Sequence, residues 1–221
     1  GLILEDIERI EVLRGSNSAS YGANAFLGVV NIVTRHAADS HGAMLSVTAG
    51  DMGINDNVAR LGWGDEKASF RVTGSRRVDR GFEGLYDDSH ISRFQFRGDF
   101  VPTREDEVMV QLGAGELARG EGLGSAGNPF RTIGQSDLYA SLRWQRQRAP
   151  NEKLELRAIY ERESFSDQAL LTGTLGGAVS ALNDNNSSLE RWELGLQHSV
   201  VLRPEIRVAW GGEWRHESLL A

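Results

Sequence analysis

Three polar stretches of the chain contain the side chains best suited to binding a ligand. Residues 79–90, 117–134 and 164–188 are rich in glycine and polar residues and lie between segments of regular alternation. Cationic and aromatic side chains in such stretches suit an anionic ligand, through charge-assisted hydrogen bonds and contacts with ring faces. The candidate contacts are Tyr86, Arg119 and Arg131.

Two other patterns in these stretches are weak indications of enzyme or metal chemistry. The sequence GLGSAG at 122–127 fits the spacing of a nucleotide-binding turn, but an Asn-Pro pair follows where such a site needs a helix. Asp87, Asp88 and His90 offer metal-ligating atoms, although most loop clusters of this kind are simply solvated. No serine, histidine and acid are spaced as in a hydrolase. We therefore predict no metal, no cofactor and no enzymatic activity.

The composition excludes several classes of protein. The 221 residues carry a formal net charge of −7, which argues against a nucleic-acid partner because phosphate binding needs a basic surface. The chain has no cysteine, so it can form neither a disulfide framework nor a thiolate metal site. It also has no run of about 18 apolar residues, the signature of a transmembrane helix. Membrane-spanning strands remain compatible with this composition, because half of each strand faces a polar lumen.

From about residue 43 onward, apolar and polar residues alternate with a period of two, which predicts β-strands. In the segment 135–147, Leu138, Leu142 and Trp144 fall on one face, and Arg143 and Gln145 fall on the other. The same pattern predicts nine strands, near 43–50, 56–64, 67–79, 91–101, 105–116, 135–147, 152–164, 189–202 and 205–217.

The connections between these strands are alternately short and long. Short turns on one edge and long loops on the other are typical of an outer-membrane barrel. The predicted strands are longer than the usual five or six residues, and aromatic residues recur near their ends. We therefore favour a membrane barrel, with a soluble β-sandwich or up-and-down barrel as the alternative.

The start of the chain predicts a separate β-turn-β unit. Residues 7–13 alternate, and Gly15 permits a turn that other residues disfavour. Gly22 can end a short helical turn, and the β-branched run from Gly28 begins a second strand. The small polar residues 36–42 form the best candidate linker to the alternating region.

The sequence IERIEVLRG, followed by SYGANAFLGVVNIVTR, resembles the end of the plug domain of TonB-dependent outer-membrane receptors. The resemblance covers residues 7–35 and rests on a Glu-Val-Leu-Arg-Gly strand, a Ser-x-x-Tyr-Gly elbow and a Val-Asn-Ile-x-Thr strand. Ser16 stands where the family usually has proline, and Leu27 where it usually has the first glycine of a pair. Beyond residue 43 the chain matches the family only in its pattern of strands.

The resemblance implies a mainly β fold. Residues 1–38 would be the C-terminal part of a plug domain, and residues 39–221 the N-terminal part of an antiparallel transmembrane barrel. About nine of roughly 22 strands would be present, so we expect a piece of a longer protein in the outer membrane of a Gram-negative cell.

The resemblance also implies a function, which is the energy-coupled import of a ferric siderophore or similar chelate. The implied partners are a TonB-type energy-coupling protein, an extracellular metal chelate and outer-membrane lipid. Two alternatives remain open: a receptor-derived β-rich module that binds a ligand without transporting it, and an enzyme barrel.

Seven residues of the resembling segment are candidate site residues. Arg14 is the position that resembles a plug arginine which pairs with glutamates of the barrel wall. An ion pair with Glu11 inside the plug is the alternative, since a buried charge needs a partner in either case. The set comprises Glu11, Arg14, Gly15, Tyr21, Gly22, Gly28 and Asn31.

Overall fold

The computed structural model describes residues 2–15, 27–173 and 179–220 of the chain. Strands dominate these ranges, and three single-turn 3-10 helices lie at Leu4–Asp6, Ala37–Ser40 and Asp51–Gly53. No helix in the described part of the chain is long and apolar enough to cross a membrane.

Two strands form a hairpin at the start of the chain. β1 (Ile7–Arg14) pairs in antiparallel fashion with β2 (Gly28–Thr34), as the alternation predicted. Gly15, which follows β1, has a φ of 96°, a left-handed backbone angle that glycine adopts without strain.

A nine-stranded antiparallel sheet forms the rest of the fold. Its strand order is β13-β12-β9-β8-β7-β6-β5-β4-β3, so each strand pairs with its neighbours in sequence except where β10 and β11 intervene. The strands are β3 (Gly42–Ala49), β4 (Asn55–Gly64), β5 (Ala68–Asp79), β6 (Ser89–Phe100), β7 (Asp106–Glu121), β8 (Arg131–Ala149), β9 (Glu152–Ser166), β12 (Ser187–Arg203) and β13 (Ile206–Leu220). The sheet is open, and the prediction of an incomplete barrel with nine strands is confirmed.

The predicted bounds of two long loops were wrong. The loop expected at 117–134 is confined to 122–130, because β7 continues to Glu121 and β8 begins at Arg131. The loop expected at 164–188 contains a hairpin of β10 (Gln168–Gly173) and β11 (Val179–Asp184). At the first of these places, Gly120 and Gly134 interrupt the alternation, but backbone pairing between β7 and β8 continues through both.

The two faces of the sheet have opposite character. The inner face contacts the N-terminal segment, which we define as residues 2–15 and 27–41. Tyr139 and Ser141 of β8 lie on this face, where they contact inward-facing side chains of β6 and β7. Alternation therefore places Arg143 inside, and it places Leu138 and Leu142 outside, where they are 48% and 45% exposed. The predicted assignment of faces is confirmed.

Candidate functional site

The N-terminal segment lies against the inner face through a row of wall arginines. Successive strands β4, β5 and β6 each place one arginine beneath it, and each guanidinium donates to a main-chain carbonyl oxygen of the segment. The donor–acceptor pairs are Arg60 to Glu5 (3.3 Å), Arg71 to Arg35 (2.7 Å) and Arg97 to Thr34 (2.9 Å). These three contacts to main-chain oxygens hold the path of the segment along the wall.

Two buried carboxylates offset this positive charge. Asp99 of β6 accepts two hydrogen bonds from Arg97, at 2.8 and 2.9 Å, and a third from the Ala37 amide at 2.8 Å. Asp6 of the segment is fully buried between Arg71 and Arg60, at 3.3 and 3.6 Å. Removing one partner of a buried ion pair typically costs about 3–5 kcal/mol, so this interface depends on each of its charges.

The backbone of the segment also lies very close to the backbone of the wall. A Cβ atom on Gly62 of β4 would overlap the carbonyl oxygen of Ser40, so only glycine lets the residues after β2 lie flat on the wall. Ala37 and Ser40 are buried there, and Gln111 of β7 donates to the Thr34 hydroxyl at 2.8 Å.

The residues of this interface are not among the predicted site residues, and the pairing of Arg14 with wall glutamates stays a prediction. Asp6 of the segment faces the wall arginines Arg60 and Arg71, and His36 of the segment lies 3.6 Å from Asp99, whereas Arg14 ends β1 in an exposed position. The signal for Arg71 and Arg97 was present, because both occupy the polar face of an alternating strand. Nothing in the spacing distinguished them from the many other arginines on such faces.

Glu11 and Asn31 form a cross-strand contact inside the hairpin. They are directly opposite in register, and the Asn31 amide donates to the Glu11 carboxylate at 2.8 Å. Arg9 donates to the same carboxylate at 2.7 Å. The hydrogen bond from Arg9, followed by that from Asn31, lowers the pKa of Glu11 below its usual value. Glu11 and Asn31 therefore have a local role in pairing β1 with β2.

Gly28 also belongs to the hairpin, whereas two candidate residues cannot be placed. A Cβ atom on Gly28 would lie 2.7 Å from the Leu13 carbonyl oxygen, so a larger residue would force the strands apart. Tyr21 and Gly22 lie outside the described residues.

The candidate ligand contacts lie along the long-loop edge of the sheet. Tyr86 packs against Phe130 with tilted rings and 5.2 Å between ring centroids, and its hydroxyl lies 3.4 Å from the Thr132 hydroxyl. Arg119 lies in β7, half exposed, 3.3 Å from Glu121. Tyr86 and Arg119 thus retain exposed surface with which to contact a ligand.

Arg131 is engaged in a contact between loops. Its guanidinium donates two hydrogen bonds to Asp167, at the base of the β10–β11 hairpin, and a third to Asn128 at 2.9 Å. The hydrogen bond from Arg131 lowers the pKa of the Asp167 carboxyl below its usual value. Arg131 therefore joins two of the long loops.

The loop acids do not assemble a metal centre. Asp87 accepts a hydrogen bond from the Phe82 amide within its own loop, at 2.9 Å. Across residues 2–15, 27–173 and 179–220, no three histidine or acidic side chains are grouped so that they could hold a metal ion.

The outer face carries an apolar band between polar rows. On β7, Val108, Val110, Leu112 and Ala114 lie between Asp106 and Glu116, and their register partners on β8 are Trp144, Leu142, Ala140 and Leu138. The span from Asp106 to Glu116 is about ten residues, or roughly 33 Å of strand. At a tilt of about 45° this becomes roughly 24 Å, close to the apolar band of about 25 Å in membrane barrels.

Aromatic side chains cluster toward the short-turn edge of this band. Phe70 contacts three other rings, with centroid separations of 5.6 Å to Trp63, 5.4 Å to Phe100 and 6.3 Å to Phe96. Trp144 donates its indole N–H to Asp106 at 3.0 Å. Rings with one polar partner are typical of the boundary between lipid and water.

Comparison with known sequences agrees with these features. Residues 2–29 match the sequence model of the TonB-dependent Receptor Plug Domain. The chain is 27% identical over 218 residues to the ferric enterobactin receptor of Pseudomonas aeruginosa, covering 98% of this chain and 25% of that protein. It is 29% identical over 213 residues to the ferrienterobactin receptor of Escherichia coli, covering 95% and 24%. The chain thus spans about a quarter of the length of these relatives.

Solved structures show the same fold. The siderophore receptor PiuA of Acinetobacter baumannii superposes with a TM-score of 0.77 at 12% identity, over 97% of this chain and 35% of that one. The ferric-catecholate import receptor Fiu of E. coli gives 0.75 at 12% identity, over 97% and 40%. Residues 2–29 are thus similar to the plug domain of TonB-dependent receptors, and the chain shares its fold with solved siderophore receptors.

Proposed function

We propose that this chain is part of an outer-membrane receptor that imports a ferric siderophore or a similar chelate. One observation carries the proposal: a plug-type segment is held by buried charges on the inner face of a sheet whose outer face is apolar. A sheet with a polar inner face and an apolar outer face is typical of a membrane pore. A segment bound on the inner face could open and close that pore.

The proposed division of the chain follows the same contacts. Residues 1–38 belong to the plug domain and residues 39–221 to the barrel. In support, the β1–β2 hairpin forms its own two-stranded sheet, and the nine-stranded sheet begins at Gly42.

The proposed ligand is an anionic ferric chelate bound from outside the cell. The relatives named for ferric enterobactin support this class of ligand. Tyr86 and Arg119 are the proposed contacts, because both keep exposed side chains at the long-loop edge. Arg131 contributes by holding its loop against the β10–β11 hairpin.

The proposed energy source is a TonB-type protein of the inner membrane. A segment held by buried ion pairs does not dissociate readily from the wall, since each broken pair costs several kcal/mol. Work from an external partner is therefore needed to open a path along the wall.

Uptake by living cells tests the proposal. The full-length receptor would be produced in a bacterium that lacks its own ferric-catecholate receptors, and radiolabelled ferric enterobactin would be supplied with and without the TonB-type protein. We expect binding in both strains and accumulation only where the energy-coupling protein is present. Binding with no accumulation in either strain would instead identify a ligand-binding module without transport, and absence of binding would exclude this ligand.

A further inference from the structure

The two acids in the interface between segment and wall are held very differently. Asp99 makes three hydrogen bonds of 2.8–2.9 Å and is fully satisfied. Asp6 is 0% exposed, yet neither carboxylate oxygen has a hydrogen-bond partner among the described residues. Its closest cationic nitrogens, on Arg71 and Arg60, lie 3.3 and 3.6 Å away. Asp6 thus offsets the positive charge of these arginines without accepting the paired hydrogen bonds that a carboxylate normally accepts from arginine.

A second unsatisfied group lies beside the same arginines. Thr73 follows Arg71 by two residues on the same face of β5 and is directly opposite Arg60 in register. Its hydroxyl is fully buried and also has no hydrogen-bond partner in the described part of the chain. Buried polar groups are nearly always paired, so an unpaired hydroxyl beside two guanidinium groups is a donor that a bound acceptor could use.

The wall itself requires an anion at this position. Arg71 and Arg97 are directly opposite on β5 and β6, an arrangement of like charges that destabilises a sheet unless counter-ions are present. Asp99 offsets Arg97, which leaves Arg71 and Arg60 dependent on a carboxylate that the N-terminal segment brings.

We propose that Arg60, Arg71 and Thr73 form an oxyanion-binding site on the inner wall. Asp6 occupies the site while the segment is seated. When the segment leaves, the site takes an anionic oxygen of the ligand passing along the wall. A free oxyanion can orient itself for two-pronged hydrogen bonding to arginine, whereas Asp6 is fixed by the helical turn Leu4–Asp6. The part of this inference that concerns the ligand rests on the proposed import function.

Rescue by formate tests the anion site itself. In the full-length receptor, Asp6→Ala leaves a space the size of one carboxylate beside Arg71. We expect a lowered melting temperature that rises saturably with formate and recovers most of the loss. The parent receptor and the Asp6→Ala/Arg71→Met double variant serve as controls, and neither should respond. The same response in the double variant, or none in Asp6→Ala, would overturn the site.

Poor folding of Asp6→Ala does not remove the test. The refolding yield in detergent is then measured against formate concentration, with the double variant again as control. A yield that rises with formate only when Arg71 is present supports the site, and a yield independent of formate contradicts it.

Thr73→Val tests the role of the site in import. The change removes a hydroxyl that makes no hydrogen bond in the seated state, so we expect unchanged stability. Surface binding of ferric enterobactin should also be unchanged, and its uptake should slow several-fold. Ser75→Ala, on the same face two residues further along β5, is the matched control. Uptake equal to that of the control would overturn the role in import. If the parent receptor takes up no ferric enterobactin, the proposed function fails, while the formate experiment still decides whether the anion site exists.

Discussion

The inner face of the sheet uses arginine in two ways, and the difference follows from what covers it. Beneath the N-terminal segment, Arg71 and Arg97 are almost fully buried and donate to the main chain of that segment. On β9, β12 and β13, the arginines pair instead with glutamates of neighbouring strands while 35–43% exposed. The pairs there include Arg157–Glu193, Arg157–Glu213, Arg215–Glu193, Arg215–Glu213, Arg191–Glu161 and Arg191–Glu217.

Ion pairs on the same face of the sheet should therefore contribute very differently to stability. Exposed ion pairs contribute about 0–1 kcal/mol each, because water screens the charges. Breaking a buried pair leaves a charge without solvent and costs about 3–5 kcal/mol. Arginines that look alike in the alternating sequence should therefore differ several-fold in their effect on stability.

The largest effect is expected at Arg97. Arg97→Met removes the partner of buried Asp99 and the donor to Thr34, so we expect the free energy of unfolding to fall by about 3–5 kcal/mol. Denaturant unfolding of the full-length receptor in detergent is the measurement. A loss below 1 kcal/mol would place this arginine in the same class as the exposed ones.

A smaller but clear effect is expected where the segment touches the wall backbone. Gly62→Ala introduces a Cβ atom where the Ser40 carbonyl oxygen lies, and overpacking of this kind costs about 1–3 kcal/mol. Gly212→Ala on β13 is the matched control, since a Cβ atom there meets nothing within 4 Å. Equal losses for the two variants in the same unfolding assay would contradict the close contact.

The pair Arg131–Asp167, 18% and 10% exposed, is an intermediate case. Because pairing depresses the pKa of folded Asp167, its contribution is present above the unfolded pKa and is lost as pH falls through the folded value. The protection of the β10–β11 hairpin against hydrogen exchange, relative to the intrinsic exchange rate at each pH, should therefore fall in acid in the parent. In Asp167→Asn this protection should already be lower at neutral pH and should depend less on acid. An unchanged acid response in the variant would show that another group controls the loop.

The smallest effect is expected on the open part of the wall. Arg157→Met breaks pairs with Glu193, which is 9% exposed, and with Glu213, which is 44% exposed, but Arg215 still pairs with both acids. We expect a loss of less than about 1 kcal/mol in the assay used for Arg97→Met. A loss comparable to that of Arg97→Met would mean that this part of the wall is also covered in the full-length receptor.

Much of the fold could be predicted from the sequence, because strand alternation is a local signal. The faces of β8 followed from Leu138, Leu142 and Arg143, and the start of β2 followed from Gly28. The ends of β7 and β8 did not, since pairing between strands carries both through glycine-containing stretches where local alternation fails.

The interface between segment and wall was harder to predict for a physical reason. Asp6 and Arg71 are 65 positions apart in the chain, and neither stands out from its neighbours by residue type. Only the folded sheet shows that one is buried against the other. By contrast, the pairing of Glu11 with Asn31 follows directly from the hairpin register.

Labelling of a cysteine at Ser40 tests most directly the central claim that buried arginines hold the N-terminal segment on the wall. Ser40 is nearly isosteric with cysteine, is 4% exposed, and lies between Arg71 and β4. A small water-soluble maleimide would be applied to a full-length receptor with Ser40→Cys as its only cysteine. We predict slow labelling in this receptor and when Arg157→Met is added, and rapid labelling when Arg97→Met is added. Equal labelling rates in all three would contradict the claim.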